Sequence, residues 1–142
     1  MLTGERSSIS PALSDPVRIL LVEDNKIFRE ALELLLGLRS DVQVVAAVGD
    51  GTAAVPACVE LHPDVVVLDF RLPGMDGVQV TSAVKEACPD TAVLCLTATA
   101  SGAETEALMA AGAVACLRKD QELEEIVAAI HGAAAGRLAR TE

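Results

Sequence analysis

The fold of this chain is decided by the stretch Val65-Val66-Val67-Leu68-Asp69-Phe70-Arg71-Leu72-Pro73-Gly74-Met75-Asp76-Gly77. Four consecutive apolar residues lead into one carboxylate, and Pro73 and Gly74 then break the chain. A short apolar run bounded by turn residues is typical of a strand that is buried on both faces of a parallel sheet. Asp69 is therefore predicted at the carboxyl end of a strand, which is where open α/β sheets bind their ligands.

The same unit, a strand followed by a helix, is predicted five times along the chain. Strands are predicted at residues 18–22, 42–48, 65–69, 92–96 and 114–117, and helices at 26–38, 52–61, 78–87, 101–111 and 122–135. Asp24 or Asn25 is expected to cap the first helix and Thr52 the second, and Gly112 is expected to end the fourth. This alternation predicts an α/β fold with a parallel sheet and helices on both of its faces.

The length of 142 residues is that of one domain with short extensions. Residues 1–16 are polar and are predicted to be a disordered leader, with an ordered extra turn against the domain as the alternative. Residues 17–135 are predicted to form the domain, and residues 136–142 a C-terminal tail.

Composition and charge exclude several classes of protein. The net charge of −10 gives no basic footprint for nucleic acid, and two phenylalanines are the only aromatic residues. No apolar run approaches the roughly 18 residues of a membrane helix, and no signal peptide is visible. We therefore expect a soluble cytoplasmic protein that does not itself bind nucleic acid or membranes. The four cysteines form no C-x-x-C pair and are predicted to be free thiols.

Five polar residues follow the predicted strands and are expected to share one edge of the sheet: Glu23, Asp24, Asp69, Thr97 and Lys119. Three carboxylates in one pocket repel one another, and such a cluster either raises a pKa or binds a cation. Mg²⁺ prefers oxygen ligands, and an ammonium or a hydroxyl can contact phosphoryl oxygens. The set predicts a phosphoryl-transfer site with a carboxylate as the nucleophile.

Four segments at the predicted strand ends resemble the receiver domain of two-component response regulators. They read Ile19-Leu20-Leu21-Val22-Glu23-Asp24, Val67-Leu68-Asp69 through Gly77, Leu96-Thr97-Ala98 and Leu117-Arg118-Lys119-Asp120. Lys119-Asp120, together with Ala111-Gly112-Ala113, is similar to the NarL/FixJ-type branch of that CheY-like superfamily. The resemblance implies a flavodoxin-like, doubly wound (βα)5 three-layer sandwich with the strand order 2-1-3-4-5.

The resemblance also implies a role for each site residue. Asp69 would accept a phosphoryl group from a histidine kinase or a phosphotransfer protein. Mg²⁺ would be held by Asp24, Asp69 and the backbone carbonyl of Arg71, with Glu23 acting mainly through a water. Thr97 and Lys119 would contact the phosphoryl group. The protein would then be a phosphorylated signalling switch rather than a metabolic enzyme, although it would catalyse its own phosphorylation and dephosphorylation.

Cys116 departs from the pattern of the family, which usually has Tyr or Phe three residues before the lysine. A thiol cannot signal by burying a ring, so we expect the signal to travel by loop and helix movement. The last helix carries more apolar residues than one core face needs, which favours a partner surface there and leaves a homodimer open: Ile126, Val127, Ala129 and Ile130.

Three alternatives remain at this point. Receivers of the NarL/FixJ-type branch usually precede a helix-turn-helix domain, so the chain is either a stand-alone regulator or the receiver fragment of a transcription regulator. A phosphorylation-independent interaction module is the second alternative. The third is a magnesium-dependent hydrolase with Asp69 as nucleophile, which Arg71 disfavours because such enzymes commonly have a second Asp at that position.

Overall fold

The computed structural model of the chain describes residues 15–98 and 101–141. Most of the leader predicted at residues 1–16 lies outside the described residues, as does Glu142. Within the described part, five strands alternate with five α-helices: β1 (Val17–Val22), α1 (Lys26–Gly37), β2 (Val42–Val48), α2 (Ala54–Leu61), β3 (Val65–Asp69), α3 (Gly77–Ala87), β4 (Ala92–Thr97), α4 (Gly102–Ala111), β5 (Ala115–Arg118) and α5 (Leu123–Thr141). A 3₁₀ turn at Gly51–Ala53 precedes α2.

The five strands form one parallel sheet in the order β2-β1-β3-β4-β5, which confirms the predicted fold. Successive residues of β3 point to opposite faces: Val65 and Val67 pack in one apolar cluster, and Val66 and Leu68 in the other. The first cluster includes side chains of α1 and α5, and the second includes side chains of α2, α3 and α4. The molecule therefore has three layers, and the carboxyl ends of its strands meet at one edge.

Side-chain caps fix where the helices begin, and one predicted cap is wrong. Asn25 caps α1 by accepting a hydrogen bond from the Phe28 amide at 3.0 Å, as one of the two predicted residues. Thr52, however, does not cap α2, because Asp50 Oδ1 accepts from both the amide and the hydroxyl of Thr52, at 2.8 and 2.9 Å. The carboxylate two residues earlier is the better acceptor, and it starts the 3₁₀ turn instead.

The end of α5 also differs from the prediction. The helix continues to Thr141 instead of ending near Ala135, so residues 136–141 are helical and do not form an extended tail. Gly112 ends α4 with a φ of +118°, as predicted, whereas no positive φ is found at Gly136. A single glycine costs a helix only about 1 kcal/mol, and the flanking alanine, leucine and arginine residues favour helix.

Among the described side chains, α1 exposes large apolar residues and α5 does not. Ile126, Val127 and Ile130 are all buried against the core, so the apolar surplus of α5 forms a wider buried stripe. On α1 and its C-terminal capping residue Leu38, by contrast, four large apolar side chains are 43–82% exposed: Ile27, Leu34, Leu35 and Leu38. The prediction that the apolar residues of the last helix form a partner surface is therefore wrong for these three residues. No helix among the described residues is long and apolar enough to cross a membrane.

Candidate functional site

Three carboxylates meet at the carboxyl edge of the sheet. Glu23 and Asp24 follow β1, and Asp69 ends the neighbouring strand β3, where Val22 pairs in register with Leu68. One carboxylate oxygen from each of the three lies within 4.8 Å of the others. Glu23 and Asp69 are buried and Asp24 is exposed, so the cluster opens to solvent on one side.

Lys119 supplies the positive charge of this cluster. Its Nζ lies 2.9 Å from Glu23 Oε1 and 3.2 Å from Asp69 Oδ2. The backbone amide of Lys119 donates to the Thr97 carbonyl at 2.8 Å, which extends the pairing of β4 with β5 and directs the chain across the site. The ion pairs that the described residues make with the three carboxylates come from Lys119 alone, so the cluster keeps an excess of negative charge.

The protonation of these groups follows from burial and from their neighbours. Burial raises the pKa of Glu23, the hydrogen bonds from Lys119 and Asn25 oppose that shift, and the charge of Asp69 adds to it. Burial alone would lower the pKa of Lys119, but the hydrogen bond to Glu23 and the charge of Asp69 outweigh it and raise the pKa. The Lys119 ammonium therefore stays charged at neutral pH and offsets part of the acidic charge.

Thr97 and Arg71 lie at the same edge but in different surroundings. Thr97 ends β4 and is 2% exposed, next to the Asp69–Leu96 register pair. The Arg71 side chain points outward, with its Nη2 3.3 Å from Glu104 Oε2 on α4. No contact among the described residues tests the predicted role of the Arg71 backbone carbonyl, which stays a prediction.

Two residues that were not among the predicted site residues, Asn25 and Phe28, complete the site. The Asn25 amide donates to Glu23 Oε2 at 3.0 Å, so the residue that caps α1 also fixes the second oxygen of that carboxylate. The Phe28 ring lies under Lys119, with 4.7 Å between the ring centre and Nζ. The hydrogen bond from Asn25 to Glu23 has only a weak sequence signal, which is a polar residue directly after an acidic strand end. The contact of Phe28 with Lys119 has no local signal, because residues 28 and 119 are far apart in the chain.

The loop after Asp69 is held by close packing against the start of α3. The Gly77 amide donates to the Phe70 carbonyl at 2.6 Å, and a Cβ on Gly77 would lie 2.8 Å from Phe70 Cα. The loop lines an open depression of about 440 Å³ beside the cluster, formed by Asp24, Phe70, Arg71, Leu72, Pro73 and Asp76. A ligand in this depression would contact both the acidic cluster and the loop.

The donor set of the site fits a hard cation. All three candidate ligands are carboxylates, and one of them faces solvent. Oxygen donors and a net negative charge are what Mg²⁺ and Ca²⁺ prefer, whereas zinc and softer metals prefer nitrogen and sulfur. The cluster could therefore hold a metal ion, and the Lys119 ammonium lies where it could contact an anion bound there.

Comparison with known proteins gives a consistent result. Residues 19–131 match the response regulator receiver domain family. The probable transcriptional regulatory protein NarL of Mycobacterium tuberculosis is 38% identical over 123 residues, which cover 87% of this chain and 57% of that protein. The transcriptional regulatory protein LiaR of Bacillus subtilis is 32% identical over 84% of this chain and 57% of its own length. The chain thus spans a little over half the length of these relatives.

Solved structures agree with the sequence relatives. The signal receiver domain of the putative response regulator NarL from Mycobacterium tuberculosis superposes with a TM-score of 0.81 at 38% identity, covering 86% of this chain and 98% of that one. The response regulator domain of Thermotoga maritima CheB gives a TM-score of 0.78 at 27% identity, covering 85% and 98% of the two chains. The similarity therefore extends over almost all of the described residues.

Proposed function

The chain belongs to the response regulator receiver domain family, and we propose that Asp69 is its phosphoacceptor. The observation that carries this proposal is that a buried Asp69 carboxylate lies 3.2 Å from the Lys119 ammonium within an acidic cluster. In the proposed reaction, an oxygen of Asp69 forms a bond to phosphorus while the bond between phosphorus and the donor imidazole nitrogen breaks. The imidazole leaves with the electron pair of that bond, and Asp69 becomes an acyl phosphate.

The proposed cofactor is Mg²⁺, held by Glu23, Asp24, Asp69 and the backbone carbonyl of Arg71. Bound there, the ion would supply positive charge against the phosphoryl oxygens. Burial of Glu23 and Asp69 excludes water from that side of the site, and the Asn25 amide orients the Glu23 carboxylate.

Lys119 and Thr97 are the proposed contacts of the transferred group. Lys119 is paired with two carboxylates, and its ammonium would turn from them to the phosphoryl oxygens without leaving the site. Thr97 ends the strand beside Asp69, and its hydroxyl would donate to a phosphoryl oxygen. We propose that the protein acts as a switch, since these groups position one acceptor, the Asp69 carboxylate, and the reaction converts that acceptor into an acyl phosphate.

The proposed donor is a histidine kinase or a phosphotransfer protein, and the proposed docking surface is the exposed face of α1. Ile27, Leu34 and Leu38 are 67–82% exposed and repeat at helical spacing, so they share one face. Ile27 lies two residues beyond Asn25, at the edge of the site. A protein that brings an imidazole to Asp69 would therefore cover the start of this face.

We further propose that the output is in transcription. The relatives that are 38% and 32% identical are named as transcriptional regulatory proteins, and the chain matches a little over half of each. Receiver phosphorylation would then control a function carried elsewhere in the complete regulator.

The direct test is to incubate the protein with Mg²⁺ and acetyl phosphate, and to measure the added phosphoryl group by mass spectrometry of the intact chain. Wild type and the control variant Asp90→Asn, at an exposed turn on the opposite edge, should both gain one group. Asp69→Asn, and wild type with excess chelator, should gain none. Folded wild-type protein that stays unmodified, or an Asp69→Asn variant that is modified equally, would show that Asp69 is not the acceptor.

The docking surface is tested with the phosphorylated kinase partner of the protein as the donor. Leu34→Ser should slow transfer from the partner and leave the reaction with acetyl phosphate unchanged, because Leu34 lies away from the cluster. The matched control is Val59→Ser, which alters an apolar residue that is 50% exposed on α2. Equal slowing by both variants would argue against α1 as the docking surface.

A further inference from the structure

Both aromatic rings of the chain face a cation at this site. Phe28 and Phe70 are the only aromatic residues among the 142. The centre of the Phe28 ring lies 4.7 Å from Lys119 Nζ, and that of the Phe70 ring lies 5.5 Å from Arg71 Cζ. An ammonium within about 6 Å of a ring centre is attracted by the negative face of the ring, and the attraction grows as water is excluded.

The first turn of α1 fixes the position of the Phe28 ring. Asn25 Oδ1 accepts from the Phe28 amide at 3.0 Å, and the Asn25 amide donates to Glu23 at 3.0 Å. The half-buried ring also packs against the apolar cluster between the sheet and α1. One short segment thus orients both the carboxylate that pairs with Lys119 and the ring beneath it.

Phe28 differs from the other two partners of Lys119. Among the described residues, the Lys119 ammonium contacts Glu23, Asp69 and Phe28. Glu23 and Asp69 are both proposed metal ligands, and Asp69 changes chemically when it is phosphorylated. The ring carries no charge, binds no Mg²⁺ and stays the same through the reaction.

We propose that Phe28 is a positioning residue for phosphoryl transfer, which holds the Lys119 ammonium in the site while the carboxylates exchange partners. This inference rests on the proposed function of Asp69. Without the ring, the lysine side chain samples more rotamers as its carboxylate contacts are lost, and it meets the incoming phosphoryl group less often. With the ring, the ammonium is already in place when negative charge builds on the phosphoryl oxygens.

The simpler view is that Phe28 only packs against the core, and three variants separate the two roles. Phe28→Leu keeps an apolar side chain but removes the ring, and Phe28→Tyr keeps the ring. With acetyl phosphate and Mg²⁺, we expect Phe28→Leu to lower the maximal phosphorylation rate about three- to tenfold, which corresponds to about 0.7–1.4 kcal/mol. Phe28→Tyr should retain the rate, and Val59→Ala, at an apolar residue that is 50% exposed on α2 and lies outside the site and the docking face, should match wild type.

A double-mutant cycle with Lys119→Met shows whether the effect passes through the lysine. Phe28→Leu should cost nothing further in the Lys119→Met protein, whereas a packing defect would lower the rate by the same factor in both. A second measurement needs no turnover: NMR should find the Lys119 ε-methylene protons shifted upfield by the ring in wild type and in Phe28→Tyr, but not in Phe28→Leu.

The outcomes separate this inference from the proposed function. If wild type takes up no phosphoryl group, the proposed function has failed. If wild type is phosphorylated and Phe28→Leu is phosphorylated at the same rate, Phe28 is only a packing residue. The same holds if Phe28→Leu lowers the rate by an equal factor in the Lys119→Met protein. An ε-methylene shift that is equal in wild type and Phe28→Leu would also overturn the inference.

Discussion

Replacement of Gly77 by alanine tests how the loop after Asp69 is held. Gly77 is the first residue of α3, and its added Cβ would lie 2.8 Å from Phe70 Cα, 3.1 Å from Phe70 O and 3.2 Å from Leu68 Cδ1. Two of these three atoms are backbone, so they cannot move away by side-chain rotation. The methyl group would push on the residue that directly follows Asp69. Gly102 is the matched control, since it is the first residue of α4 and, outside its chain neighbours and its own helix, no heavy atom of the described residues lies within 4 Å of its added Cβ.

The geometry predicts that the two substitutions change the free energy of unfolding in opposite directions. Forcing one methyl group into a packed site costs typically about 1–3 kcal/mol. Replacing glycine by alanine also makes the unfolded chain less flexible, which stabilises the fold by about 0.4–1 kcal/mol. Gly77→Ala should therefore lower the free energy of unfolding by about 1–2 kcal/mol, and Gly102→Ala should raise it by about 0.5–1 kcal/mol.

Urea denaturation followed by circular dichroism measures both changes. In a domain of this size, about 1 kcal/mol shifts the melting temperature by roughly 3 °C, so the two variants should melt roughly 5–9 °C apart. Gly77→Ala should also slow phosphorylation by acetyl phosphate, because the Asp69 loop is displaced, whereas Gly102→Ala should not. If both variants shift stability in the same direction, the close approach of α3 to Phe70 does not hold the loop as described.

Three further predictions concern stability and reactivity away from the cluster. Ser101→Ala should lower the free energy of unfolding by about 1 kcal/mol, because it breaks the capping box in which Ser101 and Glu104 each accept an amide hydrogen bond at 3.0 Å. In urea titrations, Ser101→Asp should keep most of the stability that Ser101→Ala loses. Asp41→Asn should destabilise the protein at neutral pH, and the difference from wild type should shrink as the pH falls below about 4. The hydrogen bonds from Arg39 and His131 lower the pKa of Asp41 in the folded protein. The stability that Asp41 contributes is therefore present above the pKa that Asp41 has in the unfolded chain, and it is lost as the pH falls towards the lower pKa of the folded protein. Native protein should resist alkylation at Cys58 and Cys95, since burial raises the pKa of Cys58 to about 12 and that of Cys95 further. Unfolded protein should be alkylated at all four cysteines, and mass spectrometry of the two samples measures the difference.

The fold and the gathering of the cluster follow from local patterns. Apolar runs that end in polar residues mark the strands, and parallel strands have their carboxyl ends at one edge. This places Glu23, Asp24, Asp69 and Lys119 together without knowledge of the packing. Their shared edge was predictable because it depends on strand direction and on which strands are neighbours.

Features that depend on which helix face meets the sheet were not predictable. Both α1 and α5 carry apolar residues over more than one face, and periodicity alone does not show which helix has the excess exposed. In the structure, Ile126 and Ile130 are buried while Ile27 and Leu34 are exposed. The contact of Phe28 with Lys119 was hidden for a similar reason, because it requires both the first turn of α1 and the loop after β5.

Cys116 limits how a change at Asp69 can spread through the domain. It pairs in register with Cys95, and both are small side chains in the cluster below the site, so no ring is present at this position to rotate. The contacts that lead outward from the cluster are instead to helices. The Arg71–Glu104 ion pair links the loop after Asp69 to α4, and the Phe28 ring links Lys119 to α1. Because α1 also carries the exposed apolar face that begins at Ile27, one helix would contact both the Lys119 ammonium and a partner bound to that face. These contacts favour α1 and α4, and not a rotating residue on β5, as the elements that would respond to the proposed phosphorylation of Asp69.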